Sequence, residues 1–260
     1  MSDIRDYQRV KNSRSGFDST IDQGLRAYMI KVYNLMALGL VVTGIVSFLI
    51  SGFATTLDPY AASYALKSSG VMLTSFGTLL YASPLSWVVM FAPLGVCIFM
   101  SVRINSLSIN AARITFFVYA ALIGLAISSI FIMYTNKSIV QTFFITAASF
   151  VSLSLYGYTT KKDLGPIGSF MLMGACGLFL LILANIFMRS SVVDMAIAAM
   201  GVVIFSALTA YDTQVIKEQY TDNYGMEYIE RQSVLGALRL YMDFVNIFIS
   251  LLRLLGNRRD

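Results

Sequence analysis

The chain has no histidine among its 260 residues. That absence excludes Ser-His-Asp and Cys-His catalysis, the H-E-x-x-H zinc site and His-ligated haem. It also removes the side chain that ordinarily titrates between about pH 5 and 8, so a response to pH must come from carboxylates or from lipid. Charge is scarce: 13% of the residues are Asp, Glu, Lys or Arg, against about 25% in soluble domains. Cysteine is nearly missing. Cys97 and Cys176 lie in apolar runs without CxxC spacing, and two thiols cannot build a four-cysteine metal site. Both read as small core residues. What fills the chain instead is apolar: 57% of the residues are hydrophobic. A soluble enzyme is excluded and a bilayer is the expected solvent. The net charge of +5 does not point to nucleic acid, because the positive residues sit in short loops and tails beside apolar runs.

A spanning helix needs about 20 predominantly apolar residues. Seven runs qualify: Val32 to Phe53, Pro84 to Val102 with Pro93 as an expected kink, Ile114 to Tyr134, Ile139 to Tyr158, Gly168 to Met188, Val192 to Tyr211, and Val234 to Leu255. The expected organisation is a polar, cytosolic and partly irregular tail over residues 1–31, a seven-helix transmembrane domain over 32–256, and a C-terminal tail over 257–260. The tail lacks a basic n-region followed by an apolar h-region, so no cleavable signal peptide is evident. Tyr60 to Ala82, where Lys67, Ser68 and Ser69 interrupt apolar residues, reads as an amphipathic surface segment. Thr213 to Ser233 is charge-rich and reads as a solvated connector. With the N-terminus inside, Arg5, Arg9, Lys161, Lys162 and most other cations outside the spans face the cytosol. Lys67, Lys137, Arg189, Arg258 and Arg259 fall outside. The balance predicts a multi-pass membrane protein with a cytoplasmic N-terminus. Arg258 and Arg259 would return inside only if the seventh span were re-entrant.

Ionisable residues inside a span are costly and mark function. Asp212 ends the sixth span in Ala-Tyr-Asp-Thr. Asp243 lies in the middle of the seventh, in Leu-Tyr-Met-Asp-Phe-Val-Asn. In the seventh span Gly236, Arg239, Asp243, Asn246, Ser250, Arg253 and Asn257 recur every three or four residues and so share one helical face. A polar stripe of that length faces a bundle interior or a water-filled path, not lipid. This predicts a central seventh helix with six around it. An Arg239–Asp243 pair, one turn apart, would neutralise the stripe locally. Ser206, Thr209 and Asp212 share a face of the sixth span. If that face meets the seventh, Asp212 and Asp243 approach each other and cannot both ionise cheaply. Such a pair is a pH sensor made without histidine: a shared proton joins two helices, and its loss drives them apart or leaves a weak Ca²⁺ site. Two carboxylates are far short of the six to eight oxygens that Ca²⁺ prefers. Arg103, closing the second span, reads either as a positive-inside anchor or as a countercharge to the pair. Gly124-x-x-x-Ser128 and Ala147 with Ser154 read as close helix packing.

Several longer stretches carry a resemblance. They are Gly124 to Ile139, Phe-Phe-Ile-Thr-Ala-Ala-Ser-Phe150, Ser-Leu-Tyr-Gly-Tyr-Thr-Thr-Lys-Lys-Asp-Leu164, Gly-Ser-Phe-Met-Leu-Met-Gly174, and the ending Leu-Tyr-Met-Asp-Phe-Val-Asn-Ile-Phe-Ile-Ser-Leu-Leu-Arg-Leu-Leu-Gly256. Together, from about Val32 to Gly256, they resemble the transmembrane Bax inhibitor motif family in its bacterial branch. The resemblance implies a bacterial inner (cell) membrane, a central seventh helix enclosed by six, and the activity of a pH-sensitive calcium leak channel. It also implies an aspartate pair between the last two helices as sensor and latch, which maps onto Asp212 and Asp243. The family's latch arginine falls near Ser101, with Arg103 two residues further on and Arg239 as another countercharge. The segment between the first two spans, 54–83, is longer than the family pattern.

The leading expectation is therefore a Ca²⁺ or general cation leak gated by Asp212 and Asp243, with Asn246, Ser250 and Arg253 along the path. It needs no cofactor beyond transient Ca²⁺, and its partners are the lipid bilayer and cations. The alternative is a regulatory membrane protein that binds a membrane protease or another membrane partner through the tail and the 213–233 loop. An intramembrane aspartyl protease is disfavoured: Tyr-Met-Asp-Phe lacks the Gly-x-Gly-Asp context such enzymes use. The chain reads as not an enzyme.

Overall fold

Long apolar runs closed by hydroxyl caps set the helices of the computed structural model. It describes residues 2–56, 64–65, 72–220 and 225–259, with no side-chain description for 2–22, 64–65 and 105. Helix α1 covers Ser2–Ala54, α2 Ser75–Tyr81, α3 Leu85–Arg103, α4 Ile109–Ile127, α5 Ile130–Met133, α6 Asn136–Thr159, α7 Gly165–Met188, α8 Ser191–Glu218 and α9 Met226–Leu255. Ser108, Thr135 and Ser190 cap α4, α6 and α8, each hydroxyl accepting a first-turn backbone N–H; such a cap contributes about 1 kcal/mol. Seven stretches are long and apolar enough to cross a bilayer: Gln23–Ala54, Leu85–Arg103, Ile109–Met133, Asn136–Thr159, Gly165–Met188, Ser191–Glu218 and Met226–Leu255. This is an all-α membrane protein.

The helices overrun the apolar runs that announce them. The polar tail, expected to be partly irregular, is helical from Ser2, and α1 runs unbroken to Ala54. The expected connector from Thr213 to Ser233 is mostly helix: α8 continues to Glu218 and α9 starts at Met226. Charge pairs within α9 and across to other helices hold this stretch. Arg231 bonds Glu227 one turn before it, and Glu230 is held by Lys31 and by Arg113 at 2.6 Å. Charged helix ends of this kind need no apolar residues to persist. The third span breaks at Ser128 and Ser129 between α4 and α5. The buried Ser128 hydroxyl contacts Tyr81 Oη at 2.7 Å, which ties α2 to that break. Helix α3 continues through Pro93.

Between α1 and α3, two-residue strands β1 (Thr55–Thr56), β2 (Tyr64–Ala65) and β3 (Met72–Leu73) form an antiparallel sheet in the order β1-β3-β2. Leu73 faces both Thr55 and Tyr64 in the register. The described residues of the expected amphipathic segment form β2, β3 and α2. Lys67, Ser68 and Ser69 lie outside the described residues. Thr74 closes α1 by donating its N–H to Ala54 O and its hydroxyl to Phe53 O.

Helix α9 is the centre. Of its most apolar stretch 67% is buried, against 6% to 33% for the other spans. Helices α1, α4, α6 and α8 pack along it, and α3 touches it where Cys97 Sγ meets Met242 Sδ at 3.6 Å. The enclosure is uneven, because α7 packs mainly on α8. Cys176, expected in the core, is therefore exposed on α7, while Cys97 is half-buried. Helix α9 is one unbroken helix whose start meets α1 through the Glu230–Lys31 pair and whose end lies by the α5–α6 turn. There the C-terminal residues are fastened: Arg258 pairs with Tyr134 as a backbone bridge, and Asn257 N–H donates to Ser138 Oγ at 3.0 Å.

Candidate functional site

The site is built where α8 crosses α9. Two glycines bring α8 in close. At Gly157 of α6, an added Cβ would lie 2.1 Å from the Ala210 carbonyl oxygen; at Gly168 of α7 it would lie 2.3 Å from the Tyr211 ring. On α8, Thr209 and Thr213 are fully buried, and each hydroxyl donates to the carbonyl four residues earlier, at 2.8 and 2.7 Å. That back-bonding lets a hydroxyl sit inside a span without losing its hydrogen bond. Thr213 Oγ1 also meets Ser154 Oγ of α6 at 2.9 Å, and Ser154 in turn meets Tyr33 Oη of α1. Gln214 pins the α6–α7 loop by accepting from Leu164 N–H and donating to Lys162 O. Lys217 donates to Tyr158 O at 2.7 Å. Helix α8 is thereby held on three sides with Asp212 turned toward α9.

Asp243 is 4% exposed, deep in α9. Its carboxyl interacts with that of Asp212 across the contact between α8 and α9. Oδ2 of Asp243 is buried without a hydrogen-bond partner. Arg239, one turn nearer the start of α9, places Nη1 4.0 Å from Asp212 Oδ1. Its ion pair is thus across the helices, not the one-turn pair with Asp243 that the spacing offered. A guanidinium and two carboxylates form one cluster spanning α8 and α9. Below it, Tyr241 is fully buried, shares a hydrogen bond with Thr43 of α1 and stacks edgewise on Phe116 and Tyr119.

The other residues of the predicted stripe divide. Gly236 and Ser250 are buried with Asp243, and Ser250 is packed so closely on α8 that a Cβ at Gly201 would lie 2.4 Å from its hydroxyl. Asn246 is half-buried and donates to Met242 O. Arg253 is exposed at the far end, 3.3 Å from Asp194 of α8, which Arg258 also approaches at 4.0 Å. Arg103 is exposed and makes no ion pair among the described residues. Sequence reasoning passed over Glu230, Lys31 and Arg113. The only signal for them was an acid among several in a charged stretch. No group of three or more Asp, Glu, Cys or His suited to a metal occurs among the described residues.

Residues 25–260 match the family described as "Inhibitor of apoptosis-promoting Bax1", or Bax1-I. The chain is 39% identical over 255 residues to "Uncharacterized protein RP147" of Rickettsia prowazekii (strain Madrid E), covering 98% of this chain and 99% of that protein. It is 39% identical over 238 residues to "Inner membrane protein YbhL" of Escherichia coli (strain K12), covering 91% and 94%. An uncharacterized protein of Caulobacter vibrioides is 38% identical over 248 residues, covering 94% and 93%. With seven apolar spans and a family match over nearly its whole length, this multi-pass membrane protein belongs to the Bax1-I family.

Proposed function

We propose that the protein is a pH-sensitive leak for Ca²⁺ or other cations in the bacterial inner membrane, gated by Asp212 and Asp243. The observation that carries this reading is the buried contact of two carboxyls on different helices, one oxygen of which lacks a donor. A proton shared between them supplies that donor and closes the contact. When the proton leaves, two negative charges face each other in a poorly solvated place. Like charges at that range repel strongly, and α8 and α9 are the elements they push apart. Acid closes and alkali opens. Calcium is the cargo in this reading: two carboxylates beside Arg239 offer too few oxygens to hold it as a resident ion.

Calcium entry into proteoliposomes at about pH 6 and about pH 8 tests the reading. The wild-type protein passes more Ca²⁺ at the higher pH. Asp243→Asn keeps a donor between the helices at both pH values, so its flux stays at the low level. Wild-type flux no greater than that of empty liposomes at either pH would end the channel reading and favour partner binding.

A further inference from the structure

Helices α1 and α6 do not close on each other along their whole length. A groove of about 590 Å³ opens between them toward the bilayer, within the size range of ligand sites. Arg26, Ile30 and Tyr33 line it from α1, and Val151, Leu155 and Tyr158 from α6. Its polarity changes with depth. Arg26 sits one turn inside the start of the first span, and Tyr158 lies at the end of α6. Tyr33 is about 10 Å deeper at 1.5 Å per residue. The walls between are apolar and open: Ile30 is 49% exposed, Val151 64% and Leu155 60%. The floor is fixed by the Tyr33–Ser154 hydrogen bond and by the buried ring of Phe150. Arg26 is exposed and has no ion pair among the described residues. A second apolar cavity of about 270 Å³, lined in part by Thr43, Phe143 and Phe248, lies further along the same two helices.

We propose that this groove is a binding site for one phospholipid, its phosphate on Arg26 and an acyl chain laid between α1 and α6. An exposed cation at the headgroup layer above an apolar cleft has the charge and polarity profile of that molecule. A guanidinium also matches phosphate oxygens in geometry. The site does not depend on the channel reading, because its test reads binding and not flux.

Native mass spectrometry of the full chain, titrated in detergent with phosphatidylglycerol, tests it. The wild type retains one lipid. Arg26→Gln weakens retention roughly tenfold, the loss expected for one charge-assisted hydrogen bond. Leu155→Trp fills the groove from an exposed position and lowers retention as well. Phe170→Trp, on the exposed side of α7, leaves it at the wild-type level. Diacylglycerol, which has the chains without the phosphate, binds wild type and Arg26→Gln alike. Equal retention by wild type and both groove variants would overturn the proposal. So would displacement of the lipid by inorganic phosphate, which would make the groove a free anion site. A lipid-independent dimer abolished by Leu155→Trp would assign it to a second copy of the chain and overturn the proposal too.

Discussion

Asp243 and Arg239 stand one turn apart on α9, yet they do different work. Asp243 is enclosed and depends on Asp212 for its polar contact. Arg239 is about one-third exposed and reaches across to Asp212. A guanidinium near a carboxyl favours the ionised form. Removing it should therefore hold the shared proton to higher pH. Arg239→Gln is expected to keep the leak closed to higher pH than in the wild type, read as the midpoint of Ca²⁺ flux against pH. A midpoint moved down would mean that Arg239 stabilises the closed contact. Both aspartates were legible in the sequence because an acid inside an apolar run is costly to keep there without a use. Their contact was legible too, since Thr209 and Asp212 mark the face of α8 that meets α9. The direction of the Arg239 ion pair was not. Spacing along one helix offers a partner at i+4, and only packing shows the competitor on α8.

At the level of the element, the fold is a matter of how closely backbones approach. Gly157 is the sharpest case: a methyl group there would meet the Ala210 carbonyl at 2.1 Å, and a backbone cannot step aside as a side chain can. Gly157→Ala is expected to cost about 1–3 kcal/mol and to displace α8, and with it Asp212. A denaturant titration of the purified protein measures the loss, and wild-type stability would contradict the packing described. Nothing in the sequence around Gly157 announced this contact, because a glycine does not name the backbone it faces. Helix ends were illegible for a similar reason. Spans found by apolar runs stop where charges begin, while α9 begins at Met226 on the strength of Glu227, Glu230 and Arg231. Glu230 joins partners 199 and 117 residues away. The two-residue strands are too short for alternation to show. The outer position of α7 escaped notice because its surface is apolar all round, and lipid and protein interior look alike to such a helix.

For the whole molecule, seven crossings separate the two chain ends. With most loop cations on the side where α1 begins, that side is expected to be cytosolic. A reporter fused after Asp260 should then report a periplasmic location, and one placed at the N-terminus should report a cytosolic one. The reverse pattern would invert the membrane orientation without altering the fold. The central place of α9 was readable from its polar stripe, because such a face cannot meet lipid. The stripe's far end departs from that reading: Arg253 is long and interfacial, and it turns outward to Asp194 where water is close.

Gating by this cluster requires Asp212 and Asp243 to act as one titrating unit across α8 and α9. A double-variant cycle on Ca²⁺ flux across the pH range tests that most directly. If the pair shares one proton, Asp212→Asn and Asp243→Asn each abolish the pH dependence. The double variant is then no different from either single one, since groups acting as a unit are not additive. Independent effects that sum in the double variant, or a pH response that survives in either single one, would contradict it.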